Sequence, residues 1–236
     1  MANLMPVSKT REFDLTRDSL RDLNLFLHRR AAAEGVSRIR VQNPDGAHSI
    51  ACGLDADLDV QIHGHVGYYV AGMNKHASVT VYGNAGPGAA ENMMSGRVHV
   101  KGFASMGAGA SAHGGLLIID GDASLRCGIS LKGADIVVGG SFGSFSAFMA
   151  QAGRMVICGD AGDALGDSLY EAVIYVRGAV RSLGADARVE AMTDLDCAAV
   201  SSLLAAAGHS HDPKEFKRIA SAKNLYHWHA DADQEY

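Results

Sequence analysis

Three His-X-His pairs are the first residues whose type and spacing could support chemistry. They are His63 with His65, His209 with His211, and His227 with His229. On a β-strand, residues i and i+2 lie on the same face, so each pair could offer two nitrogen ligands to one zinc ion. A zinc site needs three or four converging ligands, and nothing in the sequence places the remaining ligands beside any pair. The sequence therefore predicts no metal site.

A set of aspartates is the second candidate for chemistry. Asp122 and Asp160 are separated by two repeats of the 19-residue period described below, Ser141 lies midway between them, and Asp163 and Asp167 follow nearby. Carboxylates stacked about 5 Å apart would shift each other's pKa, as catalytic acids do in some β-helix enzymes that cleave polysaccharides. Here no two of these four acids occupy neighbouring repeats of one column, and Asp after Gly is ordinary in turns. We predict no catalytic carboxylate.

Two glycine-rich segments have the look of phosphate-binding loops. They are GNAGPG at residues 83–88 and GDAGDALGDS at residues 159–168. A phosphate loop opens a helix, whereas neither segment is followed by a strong helical pattern, and both fall in the same register of the repeat. We interpret them as structural corners and predict no cofactor-binding residue.

The remaining polar and sulfur-bearing residues give no catalytic signature. Asn92, Ser111 and Ser130 form a polar column that stacked side-chain hydrogen bonds would explain. The four cysteines, Cys52, Cys127, Cys158 and Cys197, form no CxxC pair and are expected to be reduced thiols. No Ser-His-Asp or Cys-His set has a readable local signature. The sequence by itself indicates no catalytic, cofactor-binding or metal-binding residue.

The composition narrows the class of protein. The chain has 236 residues, a net charge of −5 and 28 glycines, with 47% hydrophobic but only 6% aromatic residues. The charge excludes a basic nucleic-acid surface, and a core rich in Gly, Ala, Val and Ile is typical of many thin layers. No segment has the length of a signal peptide's apolar region or of a membrane span, so we expect a cytoplasmic protein.

An internal repeat of 19 residues positions all of these residues. It is marked by Gly64, Gly83, Gly102, Gly121, Gly140, Gly159 and Gly178. Seven residues after each glycine comes a small residue: Ala71, Ala90, Gly109, Gly128, Ala147, Gly166 and Ala185. A short strand with alternating apolar residues precedes each glycine, as in Val60/Ile62 and Val79/Val81.

The repeat predicts an all-β fold. Each strand is too short to fold alone, and 19 residues leave no room for a crossover helix between parallel strands. A coil that returns to its start one strand spacing higher solves both problems, giving a right-handed parallel β-helix of seven coils, about 34 Å long at ~4.8 Å per coil. The glycines are interpreted as corners that need positive φ or lack room for a side chain.

Short caps are predicted at both ends of the coil. Thr16 is the expected N-cap of a helix that ends near Gly35, followed by two short strands around the turn of residues 43–46. Thr193 opens a helix that ends at Gly208, and residues 212–219 predict a short second helix. We therefore divide the chain into an N-terminal cap at residues 1–57, the β-helix at 58–192, and C-terminal helices with an extended tail at 193–236.

A family resemblance is carried by residues 66–102 (VGYYVAGMNKHASVTVYGNAGPGAAENMMSGRVHVKG) and by residues 126–140 and 146–172. These segments resemble the GXGXG domain family. That domain is found at the C-terminus of the glutamate synthase large subunit, and also in one subunit of formyl-methanofuran dehydrogenase and of the formyltransferase/hydrolase complex. Residues 13–28 and 215–236 are most similar to the free-standing glutamate-synthase-like subunit of N-methylglutamate synthase.

The resemblance implies a non-catalytic scaffold subunit. In such a complex, amide chemistry belongs to an amidotransferase-like subunit and the redox step to an FMN and iron–sulfur subunit, while the β-helix links the two. N-methylglutamate synthase makes N-methylglutamate from methylamine and glutamate. Alternatives are the GXGXG-containing subunit of a formyltransferase/hydrolase or formyl-methanofuran dehydrogenase type complex, and an independent carbohydrate-active enzyme. In the tail, Leu225, Tyr226, Trp228 and Tyr236 are expected to contact a partner or to cover the coil.

Overall fold

The computed structural model describes residues 9–223, so the third histidine pair and the aromatic residues of the tail lie outside the described residues. Within this range the chain forms β1 (Lys9–Asp14), α1 (Leu20–Arg29), β2 (Val36–Gln42), β3 (Asp59–His63), β4 (Ser78–Val81), β5 (Arg97–Val100), β6 (Leu116–Ile119), β7 (Lys132–Val138), β8 (Ala152–Ile157), β9 (Val173–Val176), β10 (Ala187–Glu190), α2 (Asp194–Ala207), a 3₁₀ turn (Pro213–Glu215) and β11 (Lys217–Ser221).

One continuous sheet runs the length of the molecule. Strands β1 to β9 follow each other in sequence order, every neighbouring pair is parallel, and β11 and then β10 close the far edge. From β3 to β9 the pairing joins residues 19 apart, as in Val60 with Val79 and Val79 with Val98. Isolated bridges join a second column from Val66 to Val180. The predicted β-solenoid of about seven turns is confirmed, whereas its right hand stays a prediction.

The glycines of the repeat are explained by crowding and, except at Gly64, not by positive φ. An added Cβ would lie 2.4 Å from the Gly64 oxygen at Gly83 and 2.4 Å from the Gly159 oxygen at Gly178. In the first six coils positive φ falls instead on three other positions, which in the first coil are Tyr69, Ala71 and Met73, with φ of 59°, 51° and 54°. The small residues seven positions after the first six repeat glycines therefore lie in these left-handed turns.

The polar column of Asn92, Ser111 and Ser130 also lies in the left-handed turns. Asn92, Ser111 and Ser130 have φ between 52° and 54°, and their backbone N–H groups donate to the neighbouring coil. The predicted stacking of side-chain hydrogen bonds is wrong: the coils are joined here by backbone bonds, and Met73 and Met149 adopt the same left-handed φ in this column.

The N-terminal helix is confirmed with shifted ends. Ser19, and not Thr16, is the N-cap, with its side chain accepting from the Asp22 N–H, and the helix ends at Arg29. Strand β2 forms before the turn at residues 43–46 as predicted, but the expected strand after it is wrong because residues 47–53 enter the turns of the first coil. A strand that was not predicted, β1, extends the sheet in parallel with β2.

The first C-terminal helix is confirmed and the second is wrong. Thr193 and Asp196 form a capping box for α2, and Gly208 ends it with φ of 80°. After the Asp212 cap, Pro213–Glu215 makes only a 3₁₀ turn, because Phe216 is already extended. The chain then enters β11, where it pairs antiparallel with β9 and with β10.

Helix α2 covers the outer face of the sheet. The outward position of successive strands is polar at Gln61, Thr80 and His99 but apolar at Ile118 and Val137 and in the next two strands. These apolar residues form a second buried cluster with the α2 residues Val200, Leu203, Leu204 and Ala207. The main core lies inside the coil and contains the inward positions of every strand. Neither described helix has the length and apolar character needed to cross a membrane.

Candidate functional site

The first two histidine pairs contact other groups of the solenoid. His63 stacks on Tyr82 with ring centroids 4.7 Å apart, and His65 Nδ1 accepts a hydrogen bond of 3.0 Å from the Asn84 N–H. His211 Nδ1 lies 2.6 Å from an Arg177 guanidinium nitrogen. Among residues 9–223, no three His, Cys, Asp or Glu side chains converge as metal ligands.

The aspartate column is a ladder that joins one coil to the next. Asp122 Oδ1 accepts from the Ser141 N–H at 2.8 Å, Ser141 Oγ accepts from the Asp160 N–H at 2.9 Å, and Asp160 Oδ1 accepts from the Ala179 N–H at 2.7 Å. An open depression of about 460 Å³ lies beside this ladder and is lined by Ser141, Asp160 and Arg181. Since these three ladder side chains accept hydrogen bonds from the backbone, we assign them a structural role.

The glycine-rich segments use their N–H groups within the solenoid. In the first, the N–H groups of Ala85, Gly86 and Gly88 donate to carbonyls of neighbouring coils at 2.9 to 3.0 Å. In the second, Ala161 and Gly162 do the same at 2.8 and 3.0 Å. A phosphate site needs N–H groups that point freely at the ligand, so the interpretation of these segments as structural is supported.

The buried cysteines are poor nucleophiles. Burial raises the pKa of Cys127 to about 12 and that of Cys158 to about 11. Burial, with Glu91 nearby, also raises the pKa of Cys52. The reactive form of cysteine is the thiolate, so these three thiols are protonated and unreactive at neutral pH. All four cysteines are free of disulfide bonds.

One histidine–aspartate pair was missed in the sequence. His99 Nε2 and Asp120 Oδ1 are 2.6 Å apart, and Lys101 Nζ lies 3.2 Å from the same carboxylate. Burial lowers the pKa of His99 and outweighs the opposing effect of Asp120. Burial raises the pKa of Asp120, but hydrogen bonds from His99 and Lys101 outweigh it and keep that pKa below its usual value. His99 is only 7% exposed, so a substrate has no access and the pair is structural.

The surface feature that stands out is an apolar ridge along the axis of the solenoid. The Tyr68–Leu125 ridge consists of Tyr68, Pro87, Met106 and Leu125, spaced by 19 residues in four successive coils. Backbone bonds beside these residues join each coil to the next, such as those from Gly88 N–H to Met106 and from Gly107 N–H to Leu125. The 19-residue register could have revealed this column, but the sequence analysis considered only its buried and polar columns.

The size of the ridge is typical of an interaction surface. Tyr68, Met106 and Leu125 are 46 to 49% exposed, and the neighbouring Tyr69 and Phe145 are similarly exposed. Half-exposed side chains of this size each leave roughly 100 Å² in contact with water. Together they make an apolar patch of several hundred Å², as large as the patches that mark protein–protein contacts on soluble proteins.

A comparison with curated proteins finds a close relative. The chain is 50% identical over 219 residues to Protein GlxC of Rhizobium meliloti (strain 1021), which covers 92% of this chain and 96% of that protein. No protein-family model matches the chain. The likeness extends over most of the chain and is not limited to one motif.

Proposed function

The chain belongs to the family of Protein GlxC, and we propose that it is a non-catalytic scaffold subunit of a glutamate-synthase-like complex. The kind of complex is taken from the resemblance of residues 66–102, 126–140 and 146–172 to GXGXG domains. The observation that carries the scaffold role is the Tyr68–Leu125 ridge, because a solvent-exposed apolar column of this length costs solubility unless a partner covers it.

The chemistry of the described residues supports a scaffold over an enzyme. The histidines, aspartates and glycine-rich segments that could have formed a site are bound to neighbouring coils or stacked on rings. The solenoid thus uses its polar groups to hold coils in register, and the ridge remains as a surface available to other proteins.

The finer proposal is that the complex is N-methylglutamate synthase, which makes N-methylglutamate from methylamine and glutamate. The support is the similarity of residues 13–28 and 215–236 to its free-standing glutamate-synthase-like subunit. In this role the solenoid would link an amidotransferase-like subunit to a subunit that carries FMN and an iron–sulfur cluster, and the solenoid itself would bind neither cofactor.

Affinity purification from the native host tests this proposal. The tagged full chain is expected to bring down an FMN-containing protein and an amidotransferase-like protein, whereas the chain purified alone should show no flavin or iron absorbance. Recovery of a zinc amidohydrolase-like partner in their place would favour a formyl-transfer complex and contradict the proposal.

A pair of matched variants tests the role of the ridge. Met106→Glu places a charge in the middle of the Tyr68–Leu125 ridge, and Met94→Glu places one at a side chain with the same 46% exposure outside it. We expect Met106→Glu to lose the partners at an unchanged melting temperature and Met94→Glu to keep them, because a desolvated charge in an interface is costly. Retention of all partners by Met106→Glu would exclude the ridge as the interface.

A further inference from the structure

The segment that follows α2 is seated in a notch of the solenoid. The position just before the repeat glycine is Gly139 in the coil marked by Gly140. In other coils the same position carries a side chain, as in Tyr82, Lys101, Asp120, Cys158 and Arg177. A Cβ at Gly139 would lie 2.7 Å from Cε1 and 2.9 Å from Nε2 of His209. The absence of a side chain at Gly139 therefore makes room for the His209 ring.

The His209 ring is placed so that a positive charge on it would be poorly solvated. Its Nε2 atom is buried and has no hydrogen-bond partner among the described residues. A neutral imidazole can leave this nitrogen without a proton, whereas an imidazolium carries an N–H on both nitrogens. Protonation in place would therefore bury an N–H donor without an acceptor, which costs free energy.

The neighbouring His211 is held neutral by a different contact. Its Nδ1 lies 2.6 Å from Arg177 Nη1, and a guanidinium can only donate, so this nitrogen must be the unprotonated acceptor. Burial, the positive charge of Arg177 and the nearby His209 lower the pKa of His211, and Glu215 opposes them. The two histidine rings stack with centroids 6.4 Å apart.

The other charged and titratable groups around the pair do not offer it a free anion. The Glu215 carboxylate lies 3.8 Å from Arg177, and Asp120 is engaged by His99 and by Lys101. Lys217 donates to the Gly178 carbonyl, which adds another cation on this side. Cys158 is a protonated thiol, because burial raises its pKa to about 11.

We propose that His209 and His211 form an acid-sensitive latch, which fastens α2 to the outer face of the sheet while His211 is neutral and releases it when His211 is protonated. Release would uncover the outward residues Ile118, Val137 and Val156, which are fully buried beneath α2. This inference depends on the fold alone and holds whether or not the proposed function is correct.

The direction in which pH changes the docking of α2 follows from the charge state that the docked histidine favours. In the docked state, burial and the charge of Arg177 lower the pKa of His211, whereas a released histidine titrates near the ordinary pKa of about 6.5. The latch is therefore fully effective above about pH 6.5 and weakens as the pH falls below it. At pH 5.5, the proton taken up by His211 raises the released fraction by up to about tenfold.

Hydrogen–deuterium exchange of the full chain at pH 7.5 and 5.5, corrected for intrinsic exchange rates, tests the latch. We expect the protection of residues 194–207 to fall by up to about tenfold at pH 5.5, while strands β3 to β5 stay protected. The double variant His209→Gln/His211→Gln should lose this pH dependence, because glutamine does not titrate. His113→Gln, at an exposed histidine of another coil, should keep it.

Two results would overturn the proposal. One is an unchanged pH dependence of α2 protection in the double variant, and the other is a parallel loss of protection in α2 and in β3 to β5, which would indicate general acid unfolding. Should the double variant fail to fold, an NMR titration of the wild-type chain decides. His211 is expected to titrate below the ordinary histidine pKa of about 6.5, and a midpoint at or above that value would contradict the latch.

Discussion

Replacing a repeat glycine by alanine tests whether close contact between coils selects glycine. At Gly83, the added Cβ would lie 2.4 Å from the oxygen and 2.6 Å from the carbonyl carbon of Gly64, whereas ordinary contact begins at 3.4 Å. Both atoms are backbone, so no side-chain rotation relieves the overlap. The two coils would have to separate by about 1 Å at this point, in an interior that is close-packed.

The expected cost of Gly83→Ala is about 3 kcal/mol. Overpacking of this kind costs about 1–3 kcal/mol, and each strained hydrogen bond adds about 1 kcal/mol. The bonds at risk flank Gly83 directly: the Tyr82 N–H donates to Ile62 at 2.7 Å, and the Asn84 N–H donates to His65 at 3.0 Å. For a chain of this size, about 3 kcal/mol corresponds to a fall of roughly 6–12 °C in melting temperature.

Two further alanine variants separate crowding from backbone strain. Gly107 has φ of 73° but no atom within 4 Å of a built Cβ, and Tyr69 and Phe145 adopt similar φ at equivalent positions. Gly107→Ala should therefore cost about 1 kcal/mol, or roughly 2–4 °C. At Gly121 the nearest atom would be 3.0 Å away, so its variant should fall between the other two.

Thermal melts followed by circular dichroism give the order of the three variants. A Gly107→Ala variant that melts below Gly83→Ala would show that left-handed strain outweighs contact between coils. A Gly83→Ala midpoint equal to that of the wild type would refute the crowding explanation altogether.

Three other predictions follow from the way α2, the coil interior and the tail are held. Asp196 accepts from Tyr175 Oη at 2.7 Å and lies 3.2 Å from Arg218 Nε, so Asp196→Ala should cost about 3 kcal/mol in urea unfolding at pH 7. Burial raises the pKa of Asp196, but bonds from Thr193 and Tyr175 outweigh this and lower it, so the difference from wild type should shrink as the pH falls below about 4. Buried Asn74 donates to two backbone carbonyls at 2.8 and 3.2 Å, and Asn74→Ala should lower stability by about 2 kcal/mol, measured by the same unfolding. Truncation after Ala222 should keep the melting temperature and abolish partner pull-down if the tail is an interface, whereas a fall in melting temperature would identify it as a cover.

The repeat was predictable because stacked coils impose one register on the whole chain. When each strand bonds to the strand 19 residues later, like positions must stack, and apolar pairs such as Val60/Ile62 then repeat without a slip. The turns were not predictable in the same way. Their left-handed positions carry Tyr69, Ala71 and Met73, so glycine was a poor marker of positive φ here. The second C-terminal helix failed because the capping signal at Asp212 starts a single 3₁₀ turn as readily as a helix.

The outer surface of the solenoid carries two apolar columns that break its polar pattern, and comparing them supports the docking surface that we propose. One column begins at Ile118 and continues through Val137 and Val156, and α2 buries it completely. The other is the Tyr68–Leu125 ridge, which residues 9–223 leave about half exposed. Both columns arise because the stacking of coils extends any apolar residue into a stripe, and a stripe in water is unfavourable. The chain covers the first with its own helix, and this contrast is the reason that we propose the second as the docking surface for a partner.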